Sequence, residues 1–298
     1  MRSLDGIFAA LHTAFDAAEE VDWRAQREYV RSLAGRGLAG FFVCGTTGEF
    51  PFLRVEEREK LLELAVEEAR GRLLVLAHVG GLGTRECVRL AVHAERAGAA
   101  AVSAVPPCYY AYRAEAVLDH LRAIATSVSV PLVYYHIPQR TGLLLDERFF
   151  DSLLAVPGLS GVKYSHVDLV LQERLQKRAG PNFKFYCGCD ELLVHSLQIG
   201  ASGAIGSTYN FLAPIFLRLW SSFQAGRWEE ATAFQERANR IISVLAAYPP
   251  IASSKEALRI TGLPVGEPRR PQGRLTAEEK ARFESEITAA GLLDPTLR

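Results

Sequence analysis

The stretch GRLLVLAHVGGLGTRECVRLAVHAERAGAAAVSAVPP, residues 71–107, decides the fold class. It opens on a short apolar run, Leu73–His78, and passes through a Gly-rich turn. A longer segment follows, headed by Thr84 as a capping residue before Arg85, and a second apolar run, Ala101–Val105, closes it. Short run, turn, amphipathic segment, short run is the pattern of a βαβ unit.

Working outward, the same alternation covers most of the chain. The remaining apolar runs are Ile7–Leu11, Phe41–Cys44, Leu132–Tyr135, Leu159–Lys163, Phe183–Cys187 and Ala201–Ile205, which makes eight in all. Helical periodicity fills the gaps, as in Val117, Leu121, Ile124 and Val128, or in Leu61, Leu64 and Glu68 beside Leu62, Val66 and Ala69. Asp22 before Trp23 is a further N-capping signal. Eight βα units in roughly 200 residues, with no long linker, predict a (β/α)₈ TIM barrel of the α/β class. An open doubly wound sheet would announce a dinucleotide with G-x-G-x-x-G after its first strand, and Gly6 begins no such motif. Strand signals stop near Tyr209. Helical stretches follow at Phe211–Ala225, Trp228–Ala246 and Ser253–Ile260, and after Thr276, which forms a capping box with Glu279. The expected division is a barrel over 1–225 and a C-terminal helical extension over 226–298, packed on the barrel.

Composition narrows the function classes. The 298 residues are 49% hydrophobic and 23% charged, with Lys+Arg and Asp+Glu equal at 34 each. No general field is available to hold a polyanion, so nucleic acid and anionic membrane are not the expected partners. The opening MRSLDGIFAALHTAF is too short and broken for a signal peptide or a spanning helix, and the expected location is cytoplasmic. The five cysteines, Cys44, Cys87, Cys108, Cys187 and Cys189, are an odd number in a chain that needs no disulfide staples. Cys187-Gly188-Cys189 lacks the second pair or nearby His of a zinc site.

In a TIM barrel the reactive groups sit where strands end. Lys163 ends its apolar run, and Tyr135 ends another. A lysine at the inner end of a buried strand is costly to charge, which leaves a nucleophilic amine of the kind imine formation requires. The plainer reading is a lysine that snorkels to the rim or pairs with a carboxylate, as expected for Lys60, Lys177, Lys255 and Lys280 in their charged helical surroundings. After the second run comes Gly45-Thr46-Thr47-Gly48-Glu49. Its backbone N–H groups and Thr hydroxyls suit one small carboxylate, although a simple tight turn would read the same way.

Gly45-Thr46-Thr47-Gly48-Glu49, Tyr135-His136-Ile137-Pro138 and Gly161-Val162-Lys163 occur in the order and spacing of the dihydrodipicolinate synthase and N-acetylneuraminate lyase family, and the resemblance runs from about Gly6 to Pro268. It implies a barrel, usually a homotetramer, that forms an imine between its strand-six lysine and a 2-oxo acid such as pyruvate, with no cofactor. Position by position, Lys163 resembles the Schiff-base lysine, Tyr135 the proton-shuttling phenol, and Thr46 and Thr47 the carboxylate clamp. Tyr109 falls where the family places a tyrosine that crosses into the neighbouring subunit's site. Pro106 stands where the family commonly has Thr, and with neither hydroxyl nor N–H it alters the proton relay.

Ala77-His78-Val79-Gly80, Ala101–Val105, Tyr134–Pro138, Gly188-Cys189-Asp190-Glu191 and Gly206–Asn210 resemble the N-acetylneuraminate lyase branch. The resemblance implies that Asp190, Glu191, Gly188, Ser165 and Ser207 hydrogen-bond an open-chain sugar, with Ile205 beside them. Taken alone, Asp190-Glu191 also reads as a helix start with two acids. Arg140 argues the other way, because dihydrodipicolinate synthases carry an arginine there that grips a second carboxylate. Yet Tyr164-Ser165-His166 after Lys163 is not the Glu-Ala usual in synthases. The expected activity is therefore cleavage of N-acetylneuraminate to pyruvate and N-acetylmannosamine. Another pyruvate-dependent aldolase or hydratase, or dihydrodipicolinate synthase, is the alternative. A metal-dependent hydrolase would use His12, His78, His136 and His166 at the strand ends, but no His-x-His or His-Glu-x-x-His occurs, and such histidines are more often structural.

Overall fold

The computed structural model describes residues 3–294; residues 1–2 and 295–298, the outer ends of the two expected regions, lie outside the described residues. Eight strands, β1 (Gly6–Ala10), β2 (Gly40–Val43), β3 (Leu74–His78), β4 (Ala101–Ala104), β5 (Leu132–His136), β6 (Leu159–Tyr164), β7 (Lys184–Cys187) and β8 (Gly203–Gly206), close in sequence order into one barrel. Every pairing is parallel, including β1 with β8, where Gly6 faces Gly203. Each strand overlaps the apolar run that announced it.

The wall is helical. It comprises α1 (Trp23–Ala34), α2 (Val55–Ala69), α3 (Thr84–Ala97), α4 (Ala114–Ala125), the one-turn α5 (Pro138–Thr141), α6 (Glu147–Leu154), α7 (Leu169–Ala179), α8 (Leu193–Gln198) and α9 (Tyr209–Gln224). Beyond it lie α10 (Trp228–Leu245), α11 (Pro250–Ile260) and α12 (Ala277–Ala289). Among the described residues, no helix is long and apolar enough to cross a membrane.

Alternation along the strands sorts side chains into two cores. Phe8, Ala10, Phe42, Leu76, Ala101, Val133, Tyr135, Tyr186 and Ile205 fill the barrel interior, and a larger apolar layer lies between strands and helices. Each large side chain so buried contributes about 1.5–3 kcal/mol. The interior therefore leaves room for polar chemistry only at its C-terminal mouth.

Local signals behaved unevenly. The Asp22 carboxylate caps α1, accepting from the N–H groups of Arg24 and Ala25, and the Thr276–Glu279 capping box is formed. Thr84 is not a cap. The helix begins on it, with Gly83 at the cap position, and its hydroxyl meets His120 Nδ1 at 2.9 Å. A tertiary partner has outbid the local one. Val128 also lies outside α4, which ends at Ala125, and packs half-buried in the following turn.

Candidate active site

The site begins with strand register. Tyr135 on β5 and Lys163 on β6 are directly paired at their Cα atoms, so the two side chains enter the barrel mouth at one height. Lys163 is 4% exposed, with Nζ 4.1 Å from the centroid of the Tyr135 ring and 4.5 Å from that of Phe42. Among the described residues its amine has neither a hydrogen bond nor an ion pair. A buried amine facing aromatic rings and a cavity has little else to do than react or bind.

The Gly45–Glu49 turn, the expected clamp, is built on strain. Cys44 and Glu49, at either end of the Gly45–Glu49 turn, both take left-handed backbone, with φ of 57° and 60°. For residues other than Gly such a conformation costs about 1–3 kcal/mol and persists only where surroundings enforce it. Gly45 has no alternative, since a Cβ there would lie 2.5 Å from the Phe42 ring. Inside the turn, the N–H groups of Gly48 and Glu49 donate to the carbonyls of Gly45 and Thr46 at 3.1 and 3.0 Å, and the Thr13 hydroxyl donates to the Gly48 carbonyl at 2.7 Å. The N–H groups of Thr46 and Thr47 are left without a partner among the described residues, which is what an anion nest needs. Thr46 Oγ1 lies 3.3 Å from Tyr135 Oη, linking clamp and phenol.

Glu49 is held by Lys255, which pairs with a carboxylate as one of its two expected fates, but does so in the core and not at a charged surface: it is 3% exposed, with Nζ 2.8 Å from Oε1 of the fully buried Glu49. Its ammonium also donates to the Glu267 carbonyl, and the Arg269 N–H donates to Glu49 Oε2 at 3.0 Å. Burial works against both charges, lifting Glu49 above the usual carboxylate range and drawing Lys255 below the usual ammonium range. The available signal was position: Ile251 and Leu258, at i−4 and i+3, put Lys255 on the apolar face of α11. For the other three lysines the surface reading stands: Lys60 lies over Trp23, while Lys177 and Lys280 pair with Glu173 and Glu267.

A cavity of about 560 Å³ opens at the barrel mouth and brings together Thr46, Thr47, Tyr135, Arg140, Lys163, Ser165, Gly188, Asp190, Glu191, Ile205 and Ser207. Two glycines shape it. A Cβ on Gly188 would lie 2.0 Å from Ser165 Oγ, and one on Gly206 would lie 1.7 Å from Asp190 Oδ1. Asp190 bears out the helix-start reading. It opens a short 3₁₀ turn, and its Oδ2 accepts from the N–H and hydroxyl of Thr208 at 2.9 and 2.6 Å. Among the described residues its buried Oδ1 has no hydrogen-bond partner, and burial lifts the carboxyl above its ordinary range. Ser165 Oγ is likewise buried and unpaired. Arg140 is exposed on α5 and has no ion pair among the described residues, so neither Asp190 nor Glu191 holds it back.

Tyr109 is the one expected site residue absent from the cavity. It is 86% exposed, with φ of 87°, and its ring meets Tyr110 edge-on at 5.1 Å. The histidines at the strand ends are spoken for or dry. His12 Nε2 meets Ser254 Oγ at 2.6 Å, and His78 Nδ1 meets the Cys44 carbonyl at 2.9 Å. Burial draws His136 down to about 3. Among the described residues, no three or more His, Cys, Asp or Glu side chains gather as a metal site.

Comparison with known proteins gives the family. The dihydrodipicolinate synthetase family profile matches residues 3–290. The chain is 39% identical over 285 residues to the N-acetylneuraminate lyase of Rhizobium meliloti (strain 1021), covering 95% of this chain and 94% of that one. It is similar in structure to the Proteus mirabilis N-acetylneuraminate lyase, with a TM-score of 0.91 and 34% identity over 98% of this chain and 100% of that one. A dihydrodipicolinate synthase from Bacillus anthracis also reaches a TM-score of 0.91, at 27% identity over 97% and 99% of the two chains. The backbone is thus common to both activities, and side chains at the mouth must separate them. With nearly its whole length matched and its buried lysine, phenol and paired threonines in one cavity, this chain belongs to the dihydrodipicolinate synthetase family.

Proposed function

We propose that the protein is a class I aldolase, a carbon–carbon lyase that cleaves N-acetylneuraminate to pyruvate and N-acetylmannosamine through an imine on Lys163. The carrying observation is the unpaired, buried Lys163 amine facing Tyr135 in a cavity floored by Thr46 and Thr47. The amine attacks the C2 ketone of the open-chain acid, and water leaves to form the imine. The Thr46 and Thr47 hydroxyls and N–H groups hold the carboxylate. Tyr135 takes the proton from the C4 hydroxyl, the C3–C4 bond breaks, and its electron pair moves into the protonated imine to give an enamine. Reprotonation at C3 and hydrolysis release pyruvate and regenerate the amine.

Asp190 Oδ1, Ser165, Ser207, Glu191 and the Gly188 backbone are the proposed partners of the sugar hydroxyls, with Ile205 packing beside them. No metal or organic cofactor enters the scheme. Pro106 cannot relay a proton, so the Thr46–Tyr135 contact is the proposed route within this chain. The exposed Tyr109 supports a homotetramer in which it reaches a neighbouring subunit's site. The proposed division remains a barrel over 1–225 and a helical extension over 226–298, in a cytoplasmic enzyme with no nucleic-acid or membrane partner.

Borohydride added with pyruvate tests the scheme. It is expected to inactivate the enzyme and add mass only at Lys163, while EDTA leaves activity unchanged; full activity after borohydride would overturn the imine. A second reading, condensation with a partner bearing its own carboxylate as in dihydrodipicolinate synthase, rests on the unpaired Arg140 at the cavity wall. The sugar-facing Asp190, Ser165 and Ser207 weigh against it.

A further inference from the structure

α11 contributes Ser254 to the lining of the cavity that holds Lys163, and the proposed mechanism does not use it. Its Oγ lies 2.6 Å from Nε2 of His12, a residue 1% exposed just beyond β1. The other ring nitrogen, Nδ1, is buried with no partner. Burial, helped by the nearby Lys255 charge, draws the imidazole down to about 3, so the ring is neutral under working conditions.

A neutral imidazole carries one proton, and the two tautomers are not equivalent here. A proton on Nδ1 would strand a buried N–H donor. A proton on Nε2 leaves only an unused lone pair at Nδ1 and puts the donor against Ser254 Oγ. The second arrangement carries the smaller penalty. Ser254 then accepts from His12, and its own hydrogen is free to donate. Among the described residues that hydrogen reaches only the Ile251 carbonyl, a long contact of 3.2 Å within the same helix. An acceptor oxygen arriving in the cavity would compete well for it.

The side of the cavity is also defined. The His12 backbone N–H donates to the Tyr29 hydroxyl oxygen at 3.1 Å, Tyr29 donates to Asn210 Oδ1 at 2.5 Å, and Asn210 Nδ2 donates to the Ser207 carbonyl at 2.6 Å. Ser254 is thereby tied to the β8 end, where Ser207 lies. The α10 and α11 residues that line the cavity with it are Ile242, Leu245, Ala246, Pro250, Ile251 and Ser253, and the Ser253 hydroxyl is turned onto the Leu245 and Pro250 carbonyls. A donor among largely apolar neighbours matches a carbonyl that carries a methyl group better than a bare hydroxyl, whose own donor gains less there.

We propose that Ser254, oriented by His12, receives the acyl carbonyl of the substrate's acylamino group, with the acyl methyl against those apolar neighbours. The assignment rests on the sugar-acid lyase reading. Ser254→Ala tests it with N-acetylneuraminate, with the analogue bearing a hydroxyl in place of the acetamido group, and with borohydride trapping of pyruvate. The kcat/KM for N-acetylneuraminate should fall about tenfold, the worth of one neutral hydrogen bond, chiefly through KM. The loss with the hydroxyl analogue should be at least threefold smaller, and trapping at Lys163 should proceed as in the parent. His12→Leu, which removes the orienting donor, should reproduce the same selective loss in weaker form. Equal losses with both substrates, or none with N-acetylneuraminate, would overturn the assignment. A parent that traps pyruvate but does not cleave N-acetylneuraminate would instead overturn the lyase reading.

Discussion

Lys255→Met isolates the ion pair that fastens the carboxylate clamp. Both partners are dry, with side-chain exposures of 2% for Lys255 and 0% for Glu49, so removing the ammonium strands a carboxylate. Breaking one side of a buried pair commonly costs about 3–5 kcal/mol. Chemistry sets its own ceiling, because Glu49 can take a proton instead. From an ordinary value of 4.5, protonation at pH 7 costs about 3.4 kcal/mol, at 1.36 kcal/mol per unit.

That ceiling gives the prediction a pH signature. Without Lys255 the folded-state pKa of Glu49 is raised above its unfolded value, so the variant is unpenalised below about pH 4.5 and loses stability as pH rises. The penalty at pH 5 should shrink to about 0.7 kcal/mol. At pH 7 the expected fall in Tm is about 5 °C for a chain of this size. The double variant Glu49→Gln with Lys255→Met leaves no stranded charge and should recover most of the loss. Urea unfolding at both pH values, for parent, single and double variants, measures all of this. A single variant within about 1 kcal/mol of the parent at pH 7, or a penalty independent of pH, would refute the reasoning.

Tyr135→Phe should lower kcat by about 10²–10⁴ while borohydride trapping of pyruvate persists, because in the proposed scheme the phenol moves the proton but does not form the imine; an unchanged kcat would remove it from the mechanism. Arg140→Leu should leave kcat/KM for N-acetylneuraminate within about tenfold of the parent. If Arg140 instead grips a second carboxylate, condensation with aspartate semialdehyde should fall by about 30- to 1000-fold, and steady-state assays of both reactions separate the cases. Gly206→Ala should displace Asp190, whose Oδ1 would lie 1.7 Å from the new Cβ, and should destabilise by about 1–3 kcal/mol while cutting sugar-acid cleavage. Wild-type activity and denaturant midpoint in that variant would show that Asp190 has another place to go.

The order and number of barrel strands followed from sequence alone, because eight apolar runs separated by amphipathic segments have few ways to bury themselves. That Lys163, Tyr135, Thr46 and Thr47 would meet at one end of the barrel was legible for a related reason: strand ends mark the barrel mouth, and strand ends can be read locally. What the sequence could not order was everything set by contacts between distant elements. Thr84 has the chemistry of a cap and meets His120 instead. Lys255 sits beside Glu256 in a charged stretch, but α11 turns it inward onto Glu49, more than 200 residues earlier in the chain. His12 and Ser254 are separated by 242 residues, and neither carries a local signal of the other. Local hydrogen bonding and periodicity are properties of short stretches of chain, whereas charge pairing, tautomer choice and cavity lining depend on which stretches the closed barrel makes neighbours.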